Sequence, residues 1–248
     1  MRNIWIIARR ELGAIFVGPI AYVFSIGMLL FTGLIFAVQI SVPVIQGGPA
    51  PTISGILGTF TFVSLFALPA VTMRLVSEEQ QSGTIELLMT YPLRDNEVVI
   101  GKWLAGFIFY AFVTAFTLIY ALILVRFGNP DLGPMVSAYV GTLLWGAALV
   151  GIGVLTSAMT ENQIVAFIVA VMINLLFYLS FLVSNFLATG LPPALSGIGT
   201  VFEELSLQTH LTNFLNGLVT ATDLLYFFIV AAVSLFAAAR VLESKRWR

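Results

Sequence analysis

Six apolar runs, about Ile20 to Ile40, Ile53 to Met73, Trp103 to Val125, Met135 to Ala158, Ile164 to Phe186 and Leu224 to Ala239, leave this chain few ways to fold. A helix rises about 1.5 Å per residue, so roughly 20 apolar residues cross about 30 Å of hydrocarbon. The expected fold is all-α: a polytopic membrane protein with six transmembrane helices. The sixth run is short, but a single charge falls between Leu218 and Val241 before Arg240, which leaves its start open. Charged residues make up 9% of the chain, against about 25% in an average soluble domain.

The few charges report orientation. With a cytoplasmic N-terminus, Arg2, Arg9, Arg10, Arg74, Arg94, Lys102, Arg240, Lys245, Arg246 and Arg248 all lie inside, and Arg126 alone lies outside. Both termini are then cytoplasmic, in a cell (inner or plasma) membrane. Residues 1–248 read as one domain with no internal repeat. Its parts are an interfacial helix at 1–18, a cytoplasmic loop at 74–102, and an extracytoplasmic loop at 187–223 with room for one or two short helices. Phe202, Leu205, Leu211, Phe214, Leu215 and Leu218 recur there at near-helical spacing. In the N-terminal helix Ile4, Trp5 and Ile7 are expected in lipid, with Arg2, Arg9, Arg10 and Glu11 toward water. Gly18-Pro19 breaks it from the first span.

Several chemistries are excluded. The chain has no cysteine, hence no disulfide or thiolate metal site, and a single His210 cannot build a histidine cluster. His210 is expected on the polar side of an outer helix. The net charge of −1 gives no basic stripe for nucleic acid. The six apolar cores hold no ionisable group, which argues against an ion-coupled carrier. Their neutral polar residues, Gln39, Asn174 and Asn185, suit interhelical hydrogen bonds. There is no G-x-x-x-x-G-K-[ST] phosphate loop: Gly101-Lys102 is followed by Trp103, and Asn96 stands where the first glycine is required.

Eight of the 23 charged residues crowd into Arg74 to Lys102, RLVSEEQQSGTIELLMTYPLRDNEVVIGK. Ser77 and Gln80 have capping-box spacing, which predicts a helix start with Glu78 and Glu79 in its first turn. Gly83 interrupts it. Thr84 then caps a second short helix, Ile85 to Met89, ending before Pro92 and presenting Ile85, Leu88 and Met89 opposite Glu86. Such a helix can plug a groove in another protein. Asp95 is expected to cap the helix leading into the third span.

The string Arg74, Glu78-Glu79, Gly83-Thr84, Glu86-Leu87-Leu88, Pro92 and Gly101-Lys102 resembles the signature of ABC-2 type transporter permeases, EE-x-x-x-GT-x-E-x-L-x-x-x-P before a GK at the third span. His210-Leu-Thr-Asn-Phe214, Gly217, Asp223-Leu-Leu-Tyr226-Phe and Leu242-Glu-Ser-Lys-Arg-Trp247 resemble the branch of gliding-motility and nitrous-oxide-reductase-maturation permeases. The resemblance implies a transmembrane permease subunit that is not itself an enzyme. It pairs with a second permease subunit, identical or related, and with a separate ABC ATP-binding subunit that holds ATP and magnesium, so this chain needs no cofactor. The coupling residues it implies are Glu78, Glu79, Gly83, Thr84, Ile85 and Glu86. The alternative is a membrane anchor that passes ATPase motion to an extracytoplasmic protein without moving a solute; Glu203-Glu204 in the long outer loop motivates it.

Overall fold

The computed structural model describes residues 2–46, 52–84, 94–128, 130–190 and 196–246. Among them every regular element is a helix. In chain order these are α1 (Arg2–Val17), α2 (Pro19–Gln46), α3 (Ile53–Thr72), α4 (Arg74–Gln81), α5 (Asp95–Phe116) and α6 (Leu118–Phe127). They continue as α7 (Leu132–Met159), α8 (Gln163–Gly190), α9 (Ser196–Glu204), α10 (Leu207–Leu215) and α11 (Ala221–Arg246). Six helical stretches are long and apolar enough to cross a membrane, matching the six runs in the sequence. Their ends overshoot those runs, because a helix continues past the hydrocarbon wherever its backbone still has partners. The second extends from Ile53 through Gln81, the third starts at Asp95, and the sixth starts at Ala221.

The centre of the bundle is α7, which packs against α3, α5, α8, α10 and α11. Trp145, Ala148, Leu149 and Val150 on α7 are fully buried, and the Trp145 indole N–H donates to Ser64 Oγ on α3 at 2.9 Å. A buried indole needs such a partner, since an unpaired donor in an apolar interior costs about 1–3 kcal/mol. By contrast α2 and α8 line the periphery, where Leu30, Leu34, Ile168, Met172 and Leu176 are exposed.

Pro69 sits inside α3 and has no N–H to give Leu65, four residues earlier. Asn174 of α8 supplies the missing donor, with Nδ2 3.3 Å from the Leu65 carbonyl. The interhelical hydrogen bond expected of Asn174 thus has a specific cause. Gln39 fills a different gap and lies against Gly55, where a Cβ would meet its amide at 2.9 Å.

The junction between α3 and α4 differs from the sequence expectation. No helix starts at Ser77. Instead α4 follows α3 directly at Arg74, Ser77 Oγ donates back to the Met73 carbonyl, and Gln80 turns to another helix. A capping box is a local pattern, and here the preceding span already supplies the helix that a cap would have to start. Glu78 and Glu79 consequently lie in the second turn of α4. The start of α5 is corrected as well: Asp95 is its first helical residue, and Glu97 accepts from the Arg94 N–H at 3.2 Å in the role given to Asp95.

At the other end of the bundle α10 is tied down through its last carbonyls. Ser54 Oγ donates to the Leu215 carbonyl at 2.5 Å and Ser137 Oγ to that of Phe214 at 2.6 Å, satisfying acceptors that a helix C-terminus leaves open. The Leu218 N–H bonds the Asn213 carbonyl at 2.9 Å around Gly217, whose φ of +86° closes the turn.

Candidate functional site

Charge gathers where α1, α4 and α5 meet. Lys102, two turns into α5, is 1% exposed, and its ammonium lies 3.1 Å from Glu11 Oε1 of α1 and 2.9 Å from Glu79 Oε2 of α4. It also donates to the Leu75 carbonyl. The contact with Glu79 is an ion pair off the line of a hydrogen bond, which leaves Glu79 Oε2 without a donor. Arg10 closes the cluster from the more exposed side, with Nη2 at 2.5 Å from both Glu11 Oε1 and Glu79 Oε1. Two cations and two carboxylates cancel. Burying one ion costs several kcal/mol, and the cost is offset only when its partners are buried with it. Partial burial works against the Arg10 charge, but hydrogen bonds and attraction from Glu11 and Glu79 outweigh it and hold its pKa above the ordinary value.

The sequence brings these groups together through close packing of α1 on α5. Asn3 Nδ2 lies 3.3 Å from Glu97 Oε2, Ile7 rests on Gly101, and the Phe16 ring meets Phe109 and Phe112 edge-on. A Cβ at Gly101 would come within 2.8 Å of Ile7 Cγ2, so a larger residue there would push the two helices apart. Ile7 and Glu11 were expected in lipid and in water respectively, and both face the protein instead. The reason is legible in retrospect: Ile4, Ile7, Ala8 and Glu11 follow the i, i+3, i+4, i+7 spacing of a single helical face.

On its other side α4 is bound to α7 and α11. Ser157 Oγ, near the end of α7, accepts from the Val76 and Ser77 N–H groups at 3.0 Å each and donates to the Met73 carbonyl at 2.8 Å. Gln80 Nε2 donates to the Ala158 carbonyl at 2.9 Å, and its Oε1 accepts from Lys245 Nζ of α11 at 2.7 Å. Four helices therefore hold one eight-residue segment.

Of the residues singled out in the sequence, Glu79 is part of the hub and Glu78 is exposed beside it. Glu78, Glu11 and Arg74 border a cavity of about 140 Å³ at the elbow between α1 and α2. Gly83, at φ +69°, ends α4, and Thr84 Oγ1 is 2.8 Å from Ser82 Oγ. Ile85 and Glu86, like the whole Ile85 to Met89 helix, lie outside the described residues. Arg10, Glu11 and Ser157 are partners that the sequence did not join to this site, while Gln80 and Lys102 fell within the 74–102 segment without the contacts seen here.

A second polar cluster lies at the far end of α7, around His210 of α10. His210 is buried, contrary to the expectation of a polar surface: Nδ1 is 2.6 Å from Asp223 Oδ1 of α11, and Nε2 is 3.1 Å from the Glu204 carbonyl. Asp223 Oδ2 accepts from Thr220 at 2.7 Å and Asn213 at 3.1 Å. Tyr226 stacks on the imidazole at 4.0 Å and donates to the Leu205 carbonyl at 2.6 Å. Each polar group has a partner, and the arrangement staples α10 to the first turn of α11.

Comparison with known proteins points the same way. A family model described as "ABC-2 family transporter protein" matches residues 41–245. Over 106 residues the chain is 28% identical to the "Probable multidrug ABC transporter permease YbhR" of Escherichia coli K12 and to that of strain O157:H7. These matches cover 43% of this chain and 28% of the length of each relative.

Proposed function

The chain belongs to the ABC-2 family of transporter proteins, and from that premise we propose that it is a permease subunit driven by ATP hydrolysis in a separate subunit. In this reading the α4 end faces the cytoplasm, as do both termini, and the ATP-binding partner contacts Glu78, Gly83, Thr84 and residues 85–93, Ile85 and Glu86 among them. The partner holds ATP and magnesium. A second permease subunit completes the transporter, and the sequence likeness to the gliding-motility and nitrous-oxide-reductase-maturation branch suggests its nearest functional kin.

The observation that carries this reading is the burial of Lys102 between carboxylates of α1 and α4. A force on the exposed end of α4 has direct routes inward: along the backbone into α3, through Glu79 and Lys102 to α1 and α5, and through Gln80 to α7 and α11. Ion pairs and hydrogen bonds that tie α4 to each of these helices couple its displacement to theirs. Co-purification with an ATP-binding subunit encoded beside this chain tests the proposal. Charge reversal at Glu78 is expected to weaken the association; unchanged association and unchanged ATPase coupling would count heavily against it.

The tie between α10 and the ends of α3 and α7 favours a second reading. Because Ser54 and Ser137 grip the α10 carbonyls, movement of α3 or α7 carries the helices at that end along. Such a chain could do work on an outer protein without moving a solute. ATP-dependent transport in vesicles containing the purified complex would eliminate that alternative.

A further inference from the structure

Between the last turns of α8 and the helices α9 and α10 lies a cavity of about 300 Å³, at the end of the bundle opposite Lys102. This is the low end of the size of small-molecule sites, roughly 300–1,000 Å³. Phe181, Ser184, Glu203, Gln208, Thr209 and Thr212 line it. Part of its hydrogen-bonding capacity is spent, since Thr212 donates to the Gln208 carbonyl and Asn213, also on the lining, donates to Asp223, but part is not. Many hydroxyls in the spans bond back to their own helix, as Thr32 does to Met28, Thr142 to Ala138 and Ser180 to Phe177, and others, such as Ser54 and Ser137, bond a neighbouring one. Ser184, one turn beyond Ser180 and 7% exposed, makes no side-chain hydrogen bond among the described residues. Neither does the Thr209 hydroxyl, and the Glu203 carboxylate has no ion-pair or hydrogen-bond partner among them.

The chemistry of the lining selects the ligand. Among the described residues no lysine or arginine borders the cavity and the one charge on its lining is the Glu203 carboxylate, so phosphate and carboxylate groups are repelled. Apart from Phe181, the side chains are hydroxyls, amides and a carboxylate, which together accept more hydrogen bonds than they donate. A ligand that brings several neutral hydroxyl donors and a small apolar face satisfies both requirements. Gln208, Thr209 and Thr212 span one turn of α10, about 5.4 Å, a reach that suits hydroxyls around one ring. We infer that this cavity binds a single sugar ring, its hydroxyls on Ser184, Glu203 and Thr209 and its C–H face on Phe181. This inference does not rest on ATPase coupling. The ring has two sources, a free sugar or the headgroup of a glycolipid.

The test is saturation-transfer NMR on the purified protein in lipid nanodiscs, with methyl glucoside and methyl galactoside as free probes, beside thermal stability in nanodiscs with and without a glucosyl diacylglycerol. A free sugar is expected to receive saturation at its ring protons, or the glycolipid to raise the melting temperature; which of the two occurs identifies the source. In Glu203→Gln/Thr209→Val the effect should fall about tenfold, as expected for losing two hydrogen bonds. Ser184→Ala, a smaller change at a side chain with no hydrogen bond among the described residues, should reduce it less and leave the unliganded melting temperature unchanged. No response to either source, equal response in wild type and double variant, or a response to glycerophosphoethanolamine instead, would each overturn the assignment.

Discussion

Asn174 Nδ2 lies 3.3 Å from the carbonyl of Leu65, the acceptor that Pro69 leaves without its helical donor. Asn174 and Leu65 are 109 positions apart in sequence, and Pro69 explains why they meet. In a membrane interior bulk water does not reach a freed carbonyl, so a proline in a span leaves an acceptor that must find another partner, here a side chain of a neighbouring helix.

A double-mutant cycle tests this pairing. Asn174→Leu is expected to destabilise the protein by about 1 kcal/mol, in the range of interhelical hydrogen bonds in membranes. In a Pro69→Ala background the backbone N–H of residue 69 can serve the Leu65 carbonyl, and the Asn174→Leu cost should shrink toward zero. Additive losses, read as melting temperature in nanodiscs, would show that the two residues are independent.

Lys102 gives a larger expectation. Replacing it by Met strands Glu11 and Glu79 beside Arg10 alone, with a cost of about 3–5 kcal/mol for a broken buried pair. Adding Glu79→Gln to Lys102→Met removes one stranded charge and should recover a part of that loss. A melting temperature for the double variant no higher than for Lys102→Met would sink the claim that charge balance, and not the shape of the lysine, holds this junction.

How far the sequence reveals such relations depends on whether their cause is local. The six spans are legible because an apolar run of sufficient length has one helical solution in lipid. Glu11 was legible in principle, on the same face as Ile4 and Ile7, but its charge suggested water, and its partner Lys102 lies 91 positions away. The Ser77 and Gln80 pair carried a local signal that misled. Its spacing fits a cap, yet the helix arrives from α3 without needing one, and the side chains serve Met73 and Ala158 instead. Likewise nothing in the residues next to His210 indicates that Asp223 will reach it at 2.6 Å, since the turn at Gly217 makes that contact.

The His210 cluster therefore calls for its own measurement. Asp223→Ala leaves His210, Thr220 and Asn213 without their shared acceptor and is expected to cost about 3 kcal/mol. Asp223→Asn keeps one carbonyl acceptor and should cost less. Limited proteolysis from the α10 side reads the difference, with cleavage between α9 and α11 rising in Asp223→Ala first. Equal protease resistance in the alanine variant and wild type would mean that the staple does not hold α10.

Glu78 and Glu79 are neighbours in sequence, and the structure separates their duties. Glu78 is exposed, whereas Glu79 holds Arg10 and Lys102 inside the hub. If a partner ATPase docks on the surface of α4, Glu78→Lys should lower its affinity by about tenfold or less, the scale of a surface charge contact, and ATPase stimulation should return at high partner concentration. Glu79→Gln should leave association nearly intact, because the side chain is turned inward, but weaken the coupling of hydrolysis to movement of the spans. The readouts are partner binding by titration in nanodiscs and transport per ATP hydrolysed in vesicles. Loss of binding in Glu79→Gln together with normal binding in Glu78→Lys would reverse these roles and place the docking surface on the hub itself.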